Sequence, residues 1–235
     1  MTENESCLTT ENESCLTTEI GNSRPVTSNQ QAVHEHLDAL VARHRQARFQ
    51  KPVAPFNLTA FELADTWLSS SARPLILDSC CGVGASTRHL AAAFPDHLVI
   101  GVDRSADRLE RNLGALPENA LLVRADLVDF WRLALAAGWK PEQHFLLYPN
   151  PYPKKSDLKK RWHAHPVFPT LVALGGRLES RSNWPLYLQE MQQALAGYGV
   201  AACLEPLAVK QPLTPFERKY HLSGQALWRL TANLN

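Results

Sequence analysis

Two acids and two glycines are the residues in this sequence best placed to do chemistry. They lie in or just after the stretch L-I-L-D-S-C-C-G-V-G-A-S-T-R-H-L-A-A-A-F, residues 75–94. Leu75 to Leu77 read as a buried strand, and Asp78 closes it. Gly82 and Gly84 let the backbone turn tightly, because glycine alone takes φ > 0 without steric cost. From Ala85 the period becomes helical, with Leu90, Ala91 and Phe94 on one side. About 20 residues on, where a ribose-binding acid is expected, a second apolar strand from His97 to Val102 ends at Asp103. A carboxylate there can accept hydrogen bonds from both ribose hydroxyls. Strand, glycine turn and helix start together hold a nucleotide-like cofactor at the carboxyl edge of a doubly wound sheet. The pattern from Asp78 to Gly84 is D-x-C-x-G-x-G and not the G-x-G-x-x-G of dinucleotide turns. An acid before the turn repels a pyrophosphate and suits a cationic group, such as the methionine part of S-adenosylmethionine. The competing reading is an ordinary βα turn with chance glycines.

A second stretch bears on the substrate. Tyr148 to Trp162 reads Y-P-N-P-Y-P-K-K-S-D-L-K-K-R-W. It follows a fourth strand, Phe145 to Tyr148, so its tight turn faces the same carboxyl edge. Lys154, Lys155, Lys159, Lys160 and Arg161 come next, with Tyr152 and Trp162 as stacking surfaces. A charge run is usually a solvated face. Behind an active-site turn it reads as a nucleic-acid contact.

The elements that must position these residues alternate. A helix is expected from about Gln30 to Ala47, capped by Ser28 and ending in basic residues. A second spans Leu58 to Leu68. After Asp103 come a helix over Ala106–Leu113, a strand over Ala120–Val123, a helix over Leu127–Ala137, and the fourth strand. A helix over Pro166–Leu174, a strand over Arg177–Ser180 and a helix over Pro185–Ala196 follow. Two last strands, Val200–Leu204 and Ala226–Leu230, form a hairpin. Leu186, Leu188, Met191 and Leu195 are the candidate buried positions of the last helix. Alternating strands and helices imply an α/β fold.

Composition sets the class. The 235 residues are 45% hydrophobic and 20% charged, a globular profile. No apolar run approaches the roughly 18 residues of a membrane span. The first residues carry Glu3 and Glu5 and no cation, unlike a secretory signal. Residues 2–9, T-E-N-E-S-C-L-T, recur unchanged at 10–17, and this polar, acidic stretch is expected to be disordered. With Glu19, which follows it, its acids number five and mask a remainder of charge +6 beneath a whole-chain value of +1. The five cysteines form no C-x-x-C and the histidines no H-E-x-x-H, so no structural metal is expected. His163 and His165 read as surface residues of a basic loop.

The acid–glycine pair resembles the cofactor site of class I methyltransferases, with Cys80 in place of that family's first glycine. The resemblance sharpens to the tRNA (guanine-N7)-methyltransferases. Those proteins carry P-D-P-W followed by a lysine and a basic run, a G-G-x strand ending in T-D-W, and T-x-F-E near the C-terminus. This chain has P-N-P-Y with Lys154 behind it, G-G-R-L-E-S-R-S-N-W from Gly175, and T-P-F-E-R-K from Thr214. S-N-Q at Ser28 and F-Q-K-P at Phe49 resemble the family's leader.

The resemblance implies a Rossmann-like class I methyltransferase. Its seven-stranded, mostly parallel sheet would carry helices on both faces, over residues 28–235 behind a disordered acidic tail, 1–27. It implies S-adenosylmethionine as cofactor and tRNA, or another structured RNA, as partner. Composition gives the expectation of a cytoplasmic protein without membrane or structural metal; the oligomeric state is left open, with a monomer favoured. Asp78, Cys80, Gly82, Gly84, Asp103, Ala125, Asp126 and Asn150 would bind cofactor, and Asn150 would be catalytic. Lys154, Asn183, Thr214, Phe216 and Glu217 would bind substrate. At 150 and 183 the family has acids where this chain has amides, so one acceptor is lost at each. Two other readings stand beside it. One is an exocyclic-amine (N6-adenine type) methyltransferase, whose N-P-P-Y resembles Asn150-Pro151-Tyr152. The other is a relative that binds RNA or cofactor without turnover.

Overall fold

The computed structural model describes residues 23–47 and 49–234; the repeated segment lies outside them. Seven strands form one sheet: β1 (Leu75–Ser79), β2 (Leu98–Asp103), β3 (Ala120–Arg124), β4 (Gln143–Leu147), β5 (Arg177–Ser182), β6 (Ala202–Pro206) and β7 (Trp228–Asn233). Their order is β3-β2-β1-β4-β5-β7-β6. The first five are parallel, and β7 runs antiparallel to both β5 and β6. Strand order reverses between β1 and β4, which opens a crevice at their carboxyl ends.

β1 and β2 are buried along their whole length, as strands covered on both faces must be. Alternate residues feed two cores. Leu75, Leu77, Ile100 and Val102 join the larger cluster, with α1 (Leu37–Gln46), α2 (Pro55–Ser69), α5 (Leu127–Ala136), α6 (Phe168–Leu174) and α7 (Pro185–Gly197). Ile76, Val99, Phe145 and Leu147 meet α3 (Ala85–Ala93) through Leu90 and Ala91 in the smaller. α3 lies so close that a Cβ on Gly101 would come within 2.2 Å of Thr87 Oγ1. α4 (Ala106–Leu109) is a single turn and α8 (Pro215–Leu222) leads into β7.

Several boundaries differ from expectation. α1 starts at Leu37, not Gln30, and Ser28 caps no helix. Its hydroxyl accepts from Gln30 N (3.0 Å) and donates to Pro153 O (2.5 Å), which ties the leader to the proline turn. Ser23 and Val26, assigned to the tail from sequence, meet the domain: Gln225 Nε2 donates to Ser23 O (2.7 Å) and Val26 packs on the core. α8 was not foreseen.

Behind the carboxyl end of β1 sits a buried polar group. Ser79 Oγ lies 2.8 Å from His144 Nε2 and accepts from Trp131 Nε1 at 3.0 Å. Burial alone pushes His144 down to about 3. A histidine depressed in the folded state contributes stability that is complete above its unfolded value of about 6.5 and is lost as pH falls toward the folded one. Between pH 7 and pH 5 this group should therefore remove about 2 kcal/mol of unfolding free energy. Other groups, the raised carboxyl of Asp78 among them, titrate in the same window, so urea titrations at both pH values should show the wild type losing about 2 kcal/mol more than His144→Gln. An equal change in both would contradict the assignment.

Candidate active site

The carboxyl edge gathers the residues singled out from sequence. After Ser79 the chain turns at Cys80, which takes φ 63°, then at Gly82 (61°) and Gly84 (76°). A Cβ on Gly82 would meet nothing within 4 Å, so the backbone faces open space there. Asp103, at the end of β2, braces the turn. Its Oδ2 accepts from Gly82 N (3.0 Å) and its Oδ1 from Ser105 N (2.9 Å).

Asp78 is fully buried. Its Oδ2 accepts from Ser86 and Thr87 hydroxyls, both at 2.7 Å, while Oδ1 has no partner among the described residues. Burial pushes its carboxyl up to about 6 against the pull of the two hydroxyls. Burial also pushes the Cys80 thiol up to about 12, so it stays protonated. Ala125 is buried, and its N–H donates to Asp103 O (3.1 Å). Asp126 caps α5 through Val128 N (2.8 Å).

The turn after β4 holds two strained residues, Tyr148 (φ 49°) and Tyr152 (φ 45°). Asn150 is exposed, and its Oδ1 accepts from Tyr152 N (3.2 Å). What fixes this turn was not read from sequence. Arg161, expected among the RNA-facing cations, is fully buried instead. Its Nε and Nη2 donate to Tyr152 O (3.2 and 3.1 Å), and Nη2 also reaches Lys154 O (3.3 Å). Nη1 pairs with Glu190 Oε2 at 2.5 Å, and the guanidinium lies over the Trp184 ring.

Glu190 gathers further donors: Gln30 Nε2 (2.6 Å) and His34 N (3.1 Å) on Oε1, with His163 Nε2 2.9 Å from Oε2. Burial alone would raise Glu190; the bonds and charge of His163 and Arg161, with Gln30, hold it down at about 2. His163, expected at the surface, is thus a core residue, and burial lowers its pKa despite Glu190. Trp162 turns inward onto Trp131, ring centroids 4.8 Å apart. Lys155 pairs with Glu35 and Lys160 with Asp157. Lys154 and Lys159 are exposed.

The third side is built by β5 and α8. Thr214 Oγ1 accepts from Glu217 N (3.0 Å), a helix cap, while Glu217 Oε2 accepts from Leu213 N (3.0 Å). This reciprocal pattern is a variant of the capping box. Glu217 is fully buried, and its Oε1 pairs with Arg181 Nη1 at 2.7 Å. Asn183 Nδ2 donates to Gln225 Oε1 at 2.9 Å. These two links hold α8 beside the end of β5. Phe216 stands 46% exposed.

The edge fits a cofactor with a cationic amino-acid end and a ribose. It offers an open backbone turn at Gly82, an unpartnered carboxylate oxygen on Asp78, and a second acid, Asp103, at the end of the adjacent strand. Fold and edge define a class I, S-adenosylmethionine-dependent methyltransferase. The family described as "Putative methyltransferase" matches residues 72–230, and the chain belongs to it. It is 27% identical over 171 residues to a tRNA (guanine-N(7)-)-methyltransferase of Neisseria meningitidis serogroup A, covering 68% of this chain and 71% of that protein. A Nocardioides protein of the same name is 33% identical over 173 residues, 66% of this chain and 65% of the other. Among solved structures, the 16S rRNA methyltransferase KamB has the same fold (TM-score 0.56, 19% identity, 73% of this chain and 93% of that one). So does a 16S rRNA (adenine(1408)-N(1))-methyltransferase from Catenulisporales acidiphilia (0.51, 18%, 74% and 90%).

Removing the Asp103 carboxylate should weaken cofactor binding. A charge-assisted hydrogen bond is worth about 1.5–3 kcal/mol, so calorimetry should show S-adenosylmethionine affinity falling by roughly tenfold or more in Asp103→Ala. Unchanged affinity would remove Asp103 from the site.

Proposed function

We propose that this chain transfers the methyl group of S-adenosylmethionine to N7 of a guanine in tRNA, as a cytoplasmic monomer. The observation that carries the reading is convergence. The P-N-P-Y-P-K turn, Asn183 and the T-P-F-E helix come from three distant parts of the chain. All three meet at the edge that holds Asp78 and Asp103. The similarity to proteins named tRNA (guanine-N(7)-)-methyltransferase supports the guanine.

In this reading the Gly82–Gly84 turn, Asp78 and Asp103 hold the cofactor, with Cys80 in the turn and Ala125 and Asp126 at its adenine side. When bound, S-adenosylmethionine supplies an electrophilic methyl on a sulfonium. Guanine N7 offers an in-plane lone pair and no proton, so the chain needs no general base. Its task is positioning, because holding the reacting atoms about 3–3.5 Å apart in line supplies much of the acceleration. Asn150 is the group nearest that task, on a turn whose backbone Arg161 grips. Lys154 meets phosphate, while Asn183 and the Thr214–Glu217 segment face the base. Glu217 acts through the backbone it holds, since both its oxygens are engaged.

The two amides differ in what an acid would do there. Asn150 uses Oδ1 in its bond to Tyr152 N. An aspartate keeps that bond and gains a free acceptor for the guanine N1–H and N2–H edge. Asn183 donates to Gln225 Oε1. An aspartate there faces an acceptor, unless Gln225 flips and gives up its bond to Ser23 O. Asn150→Asp should therefore raise kcat/KM for guanine methylation of unmodified tRNA by about fivefold, one contact of about 1 kcal/mol. Asn183→Asp should gain less. Methyl incorporation into tRNA by the wild type and both variants tests this. A fall in guanine methylation with Asn150→Asp would reject the positioning role and favour the exocyclic-amine reading.

A further inference from the structure

Three aromatic rings line up at the carboxyl edge, and the sequence motifs account for only one of them. Phe216 and Tyr220 lie one helical turn apart on α8, their rings near-parallel at 24° with centroids 6.2 Å apart. Tyr220 continues to Tyr148, at 5.8 Å and 45°. Tyr148 leaves β4 at φ 49°, directly before the Pro149-Asn150 turn. The row thus runs from an exposed ring, Phe216, through the half-buried Tyr220, to the base of the catalytic turn. Arg218, Lys219 and His221 interleave with it on α8, all exposed.

A large aromatic left 46% exposed, on a helix whose exposed residues also include Arg218, Lys219, His221 and Leu222, does not fill the core. Stepped aromatic faces beside cations are the chemistry that binds single-stranded nucleic acid: bases stack on the rings, and the cations meet the backbone phosphates. The row is also fixed rather than loose. α8 is capped by Thr214 and tied to β5 by the ion pair of buried Glu217 with Arg181, and Tyr148 N–H donates to Arg181 O (2.9 Å). One arginine therefore anchors both the helix and the strand end that carry the rings.

We infer that Phe216 and Tyr220, backed by Tyr148 where it packs on the smaller core, form a stacking platform for an unpaired nucleotide of the RNA next to the base being methylated, with Arg218 and Lys219 on its phosphates. The inference deepens the proposed function and rests on RNA being the substrate. The platform takes nucleotides in single-stranded form, because inside a duplex each base's faces are covered by its stacked neighbours. It makes Tyr220 a residue of substrate binding that no motif marks.

The test separates binding from methyl transfer. Affinity is measured by fluorescence anisotropy for a labelled single-stranded RNA hexamer, for the same hexamer with one abasic position at each site in turn, and for the hexamer annealed to its complement. The wild type should bind the single strand best and lose affinity at one or two abasic positions. Phe216→Leu and Tyr220→Leu should each weaken single-strand binding by about tenfold, the scale of one lost base stack. Both should abolish the abasic penalty while cofactor affinity and melting temperature hold. Phe216→Tyr should bind as the wild type does.

The platform is overturned if the leucine variants bind the hexamer as tightly as the wild type, or if duplex binds as well as single strand. Loss of hexamer binding that comes with a collapsed melting temperature in both leucine variants leaves Phe216→Tyr and the abasic series to decide. Wild-type insensitivity to every abasic position then overturns it. A tRNA on which the wild type methylates guanine, with leucine variants at unchanged KM, would leave the proposed function standing without the platform. Platform-dependent hexamer binding by a wild type that methylates no guanine would do the reverse.

Discussion

The Arg161 guanidinium and the Glu190 carboxylate are both withdrawn wholly from water, and the active edge depends on how they meet. Burying two charges is favourable only when nearly every donor and acceptor is matched, and removing one partner from such a pair costs about 3–5 kcal/mol. Here the matching groups are parts of the site. Arg161 donates to the backbone carbonyls of Tyr152 and Lys154. Glu190 draws in Gln30 and the His34 N–H, so the leader, the proline turn and α7 share one set of hydrogen bonds. Satisfying the buried pair fixes the turn after β4.

That constraint explains where the backbone is strained. Among the described residues, the non-glycines with positive φ are Cys80, Tyr148 and Tyr152, and all three stand at the carboxyl edge. Each such residue costs about 1–3 kcal/mol and persists only where its surroundings over-determine it. Asp103 does so for the cofactor turn through Gly82, and Arg161 for Tyr152. A second ion pair, between buried Glu217 and the partly buried Arg181, ties α8 to β5. The edge is therefore a set of loops braced by charged side chains, Asp103 at the turn after β1, Arg161 at the turn after β4 and Glu217 at the start of α8.

This arrangement also decides what could be read in the sequence. The strand ends at Asp78 and Asp103 were legible, because apolar runs closed by acids are a local signal. The seven-stranded α/β sheet followed from the same alternation. Arg161 was not legible, since nothing in K-K-S-D-L-K-K-R-W separates a buried cation from its solvated neighbours, and its partner lies 29 residues on. Glu190 sits beside Met191 in an amphipathic helix and reads as solvent-facing. His163 looked like a loop residue for the same reason. The N-terminal helix was drawn seven residues too long because Gln30 and His34 are held by tertiary bonds to Glu190, which no propensity reports. Thr214 and Glu217 did carry a readable signal, a capping pattern, but its use in building α8 went unrecognised behind the family resemblance.

The central claim is that this edge methylates guanine N7 in tRNA. It is tested most directly by incubating the full chain with S-adenosylmethionine carrying an isotopically labelled methyl and with unmodified tRNA, then digesting the RNA to nucleosides for mass analysis. The account predicts label in 7-methylguanosine. Label in N6-methyladenosine, or no label in any nucleoside from a protein that binds the cofactor, would contradict it.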